Sequence, residues 1–142
     1  MAKATLSLIP NALAAMHAAL KRRDMDAIFV DFADNVRYVS PDGTLDGIAA
    51  RRAVEQMLLD AFTDIEVKVS ETVIQNDKAV EFLNMRGIDS GPLALPAGTI
   101  PPTGKNIDLR FTSFYRFEDG KVVFQEIIYD SMNLLRQLGL AG

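Results

Sequence analysis

Hydrophobic spacing changes at Thr63-Asp64, and that change sets the fold class. Upstream, Leu13, Met16, His17 and Leu20 form one stripe at helical intervals, and Ile48, Val54, Met57, Leu58 and Phe62 form another. Downstream, Ile65-Glu66-Val67-Lys68-Val69 alternates, as do the runs that follow it. A chain with helices first and an antiparallel meander second reads as α+β.

The first part predicts three N-terminal helices. Ser7 is placed to cap the first, with Pro10 in its opening turn, where a missing N–H costs little. Lys21-Arg22-Arg23 ends it with charge suited to a helix C-terminus. Asp24 caps a short second helix from about Met25 to Phe32, and Gly47 to Phe62 forms the third. Between them Val36 to Ser40 is a strand closed by Pro41-Asp42-Gly43, in which proline fixes φ and glycine permits positive φ.

Four strands follow: Ile65 to Ile74, Ala79 to Ile88, Leu109 to Phe117 and Lys121 to Tyr129, the last two joined by the hairpin sequence Glu118-Asp119-Gly120. Residues 89–106 hold four of the six prolines and three glycines, so they form a long loop of the kind used as a lid or a dimer arm. Ser131 caps a terminal helix from Met132 to Leu138, stopped by Gly139. The 142 residues show no repeat and no linker and form one domain, residues 1–142, and 49% hydrophobic residues suffice for its core.

Several function classes are excluded. Without cysteine there are no disulfides, thiolate metal sites or cysteine nucleophiles. A single histidine, His17, removes any multi-histidine metal site, and Asp24, Asp26, Asp31 and Asp34 belong to caps and turns rather than to a chelate. No cofactor is called for. A net charge of -4 with interspersed signs offers no face for nucleic acid. No segment approaches the roughly 20 apolar residues that span a bilayer. The basic run at Lys21-Arg22-Arg23 follows the N-terminal apolar stretch instead of preceding it, unlike a secretory signal, which points to the cytoplasm.

Local stretches carry a resemblance. Pro101-Pro102-Thr103-Gly104-Lys105, the hairpin Tyr115-Arg116-Phe117-Glu118-Asp119-Gly120-Lys121-Val122-Val123, and Asp130 followed by Leu134-Leu135-Arg136-Gln137-Leu138-Gly139 resemble the SnoaL-like polyketide and ester cyclase branch of the nuclear transport factor 2-like superfamily. Asp24-Met25-Asp26 and Phe32-Ala33-Asp34-Asn35 are similar to its usual helix-to-strand passage. The resemblance implies a cone, three helices packed on a curved, mainly antiparallel sheet, that encloses a small-molecule pocket and commonly forms a homodimer. It also implies an inward set on the last strands: Leu109, Phe111, Ser113 and Tyr115, then Gln125, Ile127 and Tyr129.

In similar cyclases an acidic residue on the final strand and an inward histidine on the preceding one do the chemistry; here those positions hold Ile127 and Ser113. Ketosteroid isomerases place an aspartate before the proline of the first-strand turn and a tyrosine on the first helix, where this chain has Ser40 and Met16. The remaining proton-active candidates are His17 and Asp130, with Tyr38 and Tyr129 as hydrogen-bond donors, against a lining of Met16, Leu20, Ser40, Leu109, Phe111, Ser113, Tyr115, Gln125 and Ile127. His17 is either a pocket base or a core histidine satisfied by a backbone carbonyl. Asp130 either reaches the pocket mouth or caps the terminal helix. Arg51 and Arg52 read as a solvated helix face. The expected partner is a small, largely apolar carbonyl or ester compound, turned over by an acid/base enzyme of cyclase, isomerase or hydrolase type. The alternatives are a non-catalytic binding module and a dimerising association domain.

Overall fold

The computed structural model describes residues 2–140, with side chains from Leu8 onward. Four helices and eight strands follow one another as α1 (Ala2–Lys21), α2 (Met25–Ile28), β1 (Phe32–Ser40), β2 (Gly43–Asp46), α3 (Ile48–Ala61), β3 (Phe62–Gln75), β4 (Lys78–Asp89), β5 (Leu93–Leu95), β6 (Gly98–Ile100), β7 (Asn106–Glu118), β8 (Lys121–Ile128) and α4 (Ser131–Gln137). The α+β expectation holds, but only α1, α3 and α4 reach seven residues, so three full N-terminal helices do not form. The second is a single turn: Asp24 caps it by accepting from Ala27 N at 3.1 Å, and the chain enters β1 at Phe32.

α1 begins ahead of Ser7, whose side chain lies outside those described, and carries Pro10 inside rather than at its start. At its end Arg23, in the left-handed region at φ 59°, reaches the last turn of α3 and donates to the carbonyls of Leu59 and Phe62. Those carbonyls lack helical partners, so the guanidinium ties two helix ends together. No helix among the described residues is long and apolar enough to cross a membrane.

The main sheet runs β2-β1-β8-β7-β4-β3, with β1 parallel to β8 and all other pairs antiparallel. Register shifts between Thr63 and Glu66 and between Val69 and Glu71 in β3, and between Phe32 and Arg37 in β1, bend the outer strands. α1 and α3 lie across the concave face. Ile9, Leu13, Ala19, Leu20, Val36, Leu59, Met85, Leu109, Tyr115 and Phe117 form the core beneath them. Residues 89–106 are not a plain loop: β5 and β6 make a small hairpin of their own, hung from a buried carboxylate. Asp89 Oδ2 accepts from Thr103 N at 3.1 Å and from Thr103 Oγ1 at 2.8 Å.

Candidate functional site

The concave face, α1, α3 and the β5–β6 hairpin enclose a cavity of about 550 Å³. Alternation along β7 and β8 turns Leu109, Phe111, Ser113 and Tyr115, with Gln125 and Ile127, toward it, and all six line its wall. Met16, Leu20, Ser40, Tyr38, Tyr129 and His17 line it as well. The structure thus gathers every sequence-nominated site residue but one. Asp130 stands apart: its Oδ1 accepts from Asn133 N at 3.0 Å as the N-cap of α4, and Arg136 lies 3.6 Å from its other oxygen.

His17 has a partner that no reading of its own helix supplies. Its Nε2 lies 2.9 Å from both carboxylate oxygens of Glu81 on β4. Glu81 is 2% exposed, and Tyr115 Oη donates to its Oε1 at 3.1 Å. A carboxylate only accepts, so against an ionised Glu81 the donor is Nε2; the other ring nitrogen, Nδ1, is engaged by no hydrogen bond among the described residues. The arrangement is that of a base oriented by an acid. His17, Leu20 and Val67 also border a second, more polar cavity of about 610 Å³ beside Lys21, Lys68 and Arg86.

A second polar group occupies the same floor. Arg51 is not on a solvated face; it is 6% exposed. Its Nε donates to Gln125 Oε1 at 2.9 Å, and Gln125 Nε2 donates to Ser113 Oγ at 3.3 Å. Its guanidinium lies over the Tyr38 ring, 4.4 Å from the centroid, and pairs with Glu55 one helical turn on at 3.4 Å. Arg52, by contrast, does face outward, to Asp26.

The tyrosines stay protonated. Burial pushes the Tyr38 phenol well above its ordinary range, against the nearby Arg51 charge. Burial and then the Glu81 carboxylate raise Tyr115. Burial, with Asp42 adding to it, raises Tyr129. They are therefore donors, not bases, near neutral pH.

A model of SnoaL-like polyketide cyclases matches residues 11–138. The chain belongs to that family. Among solved structures this SnoaL-like chain is similar to TsrD of Streptomyces laurentii, with a TM-score of 0.81 and 22% identity over 94% of this chain and 96% of that one. AclR of Streptomyces galilaeus gives 0.80 and 22% over the whole of both chains. TerC, crystallised with polyporic acid, gives 0.73 and 20% over 91% and 96%. No curated protein matches significantly. At these identities the likeness is one of fold, and the nuclear transport factor 2-like cone is common to all.

Residue patterns for the missed groups were present in the SnoaL-like chain. Glu81 shares the inward phase of β4 with Ala79, Leu83 and Met85, and an acid placed among apolar residues of that phase is a signal. Arg51 and Glu55 sit at i and i+4 on the face of α3 that also carries Ile48 and Leu59.

Proposed function

We propose that this SnoaL-like protein is an acid/base enzyme whose cavity takes a small, largely apolar molecule bearing a carbonyl or ester, and that His17 moves the proton. The observation that carries this reading is the contact of His17 with a buried Glu81 at the wall of a cavity otherwise lined mainly by apolar side chains. Nδ1 takes a proton from the carbon next to the carbonyl, and the imidazolium that results sits against a carboxylate that stabilises it. Tyr38 and Tyr129, kept protonated by burial, are the phenolic donors available to the substrate oxygen. Aldol-type cyclisation and isomerisation begin from such a step; in hydrolysis the same base takes its proton from the water that attacks the carbonyl carbon.

The test is deuterium exchange at the carbon beside the carbonyl of β-tetralone in heavy water, followed by NMR. Exchange above the buffer rate that disappears in His17→Gln supports the reading; equal exchange in the native protein and the variant removes His17 as the base. Binding without turnover is the second reading. It is favoured by Ile127 and Ser113, which stand on the last two strands where similar cyclases carry their acid and histidine. A ligand recovered unaltered, with no exchange, would decide for it. We also propose a homodimer through the outer sheet face, where Val73, Phe82 and Ile128 are 50%, 38% and 60% exposed.

A further inference from the structure

Arg51 is a charged side chain buried in the wall of an apolar cavity, and its bonds leave it incompletely engaged. Guanidinium has five N–H bonds. The Nε bond is given to Gln125 at 2.9 Å, whereas Nη1 and Nη2 converge on a single oxygen of Glu55 at 3.4 and 3.5 Å, both long for a charge-assisted pair. The group is held rigidly all the same, between the Tyr38 ring at 4.4 Å and the Phe29 ring at 5.1 Å. A fixed, dry, half-paired cation facing a cavity is suited to a charge that is absent at rest and appears during reaction.

Resting on the proton-transfer reading above, we propose that Arg51 is the charged oxyanion donor of the site, beside the neutral phenols of Tyr38 and Tyr129: it receives the carbonyl oxygen of the substrate, and Glu55 sets how strongly it does so. As the proton moves from carbon to His17 Nδ1, the C–H electron pair becomes the C=C bond of an enolate and the carbonyl π pair moves onto oxygen. The two charges created are then each answered by a group already in place, the imidazolium by Glu81 and the enolate by Arg51. Sheet register joins these groups in one floor. Gln125 is the cross-strand neighbour of both Tyr38 and Tyr115, and Ser113 is that of Glu81, so the two ion pairs are ends of one polar band. The titratable groups packed around Arg51 are Glu55 from its own helix, which carries charge, and the neutral Tyr38 and Tyr115 phenols from the sheet.

The probe is para-nitrophenol, an enolate surrogate whose ionised form is yellow, alongside para-nitroanisole, which cannot ionise. Near the probe's own pKa the protein should bind the phenolate in preference to the phenol by about tenfold, one pKa unit's worth. That preference should vanish in Arg51→Gln, persist in Arg51→Lys and rise in Glu55→Gln, while para-nitroanisole binds all four proteins alike. A purely structural Arg51 would instead lower the affinity for both probes together, or leave the phenolate preference untouched, and either result overturns the proposal. If Arg51→Gln fails to fold, Glu55→Gln still decides, since an unchanged phenolate preference there is equally fatal. Failure of both probes to bind would remove the small-molecule reading itself, whereas para-nitroanisole binding without any phenolate preference removes only the role of Arg51.

Discussion

His17 on α1 and Glu81 on β4, 64 positions apart in the chain, meet with the imidazole Nε2 2.9 Å from both carboxylate oxygens. With Glu81 2% exposed, removing His17 strands a buried carboxylate that keeps only Tyr115. His17→Ala and Glu81→Ala should therefore each lower stability by about 2–4 kcal/mol, yet together by less than their sum, with a coupling of about 1–3 kcal/mol. Urea unfolding of the four proteins in the cycle measures it. Strict additivity would show that the contact contributes nothing.

All three tyrosines of the chain have raised phenol pKa values, and burial is the first cause in each case. A group whose folded pKa exceeds its unfolded value contributes stability that is complete below the unfolded pKa and is lost as pH rises beyond it. The unfolded value is 10.0, so stability should be level in these groups up to that pH and fall above it. Near-ultraviolet phenolate absorbance should rise together with unfolding rather than ahead of it, and Tyr115→Phe should shallow the alkaline loss. A full phenolate signal in protein that is still folded would contradict this.

How far the sequence reached can be traced through individual residues. The period change at Thr63-Asp64 coincides with the passage from α3 into β3, and Gly120, at φ 78°, turns the β7–β8 hairpin where its position required. Inward and outward phases on β7 and β8 follow because strand alternation has a strict period of two. What the sequence did not disclose is pairing across the chain. His17 read as base or core residue with no means to choose, since Glu81 reaches it only after β4 is laid beside β7 under α1. Arg51 reads as solvent-facing on its charge, although its spacing from Ile48 and Leu59 puts it on the buried face of α3. The parallel β1–β8 pairing and the β5–β6 hairpin likewise depend on tertiary closure, which a run rich in proline and glycine conceals.

Asp89 is fully buried, and its Oδ2 takes both the N–H and the hydroxyl of Thr103, fixing the Pro101–Gly104 end of the hairpin that borders the cavity. Thr103→Val removes one of these donors and should cost about 1–2 kcal/mol. Asp89→Ala removes the acceptor of both and should cost more. Hydrogen exchange of the amides in 90–104 should quicken in both variants before that of β7 does. Equal acceleration throughout the sheet would mean that the hairpin is not a separate unit.

Gly91 accepts no side chain. A Cβ there would lie 1.9 Å from the carbonyl oxygen of Asp60, at the end of α3, while its own N–H donates to Ala61 O at 3.0 Å. Backbone meets backbone, so relief needs a shift of the hairpin or the helix end. Gly91→Ala should lower stability by about 2 kcal/mol or more, whereas Gly98→Ala, where nothing lies within 4 Å and only the positive φ of 137° is strained, should cost less. Thermal melts of the two variants give the comparison, and the reverse order would place the hairpin differently.

Self-association is proposed through the outer sheet face. Phe82 pairs across the sheet with Thr112, and Thr112 with Ile128, while Val80 pairs with Phe114, so apolar side chains recur across three strands on the side away from the cavity. Sheets whose second face is this apolar are usually covered. Sedimentation velocity at micromolar concentration should show a dimer, and Phe82→Glu combined with Phe114→Glu should shift it to monomer while leaving para-nitroanisole binding in the cavity unchanged. A native protein that sediments as a monomer throughout that range removes the dimer, and with it the association role, without touching the assignment of His17.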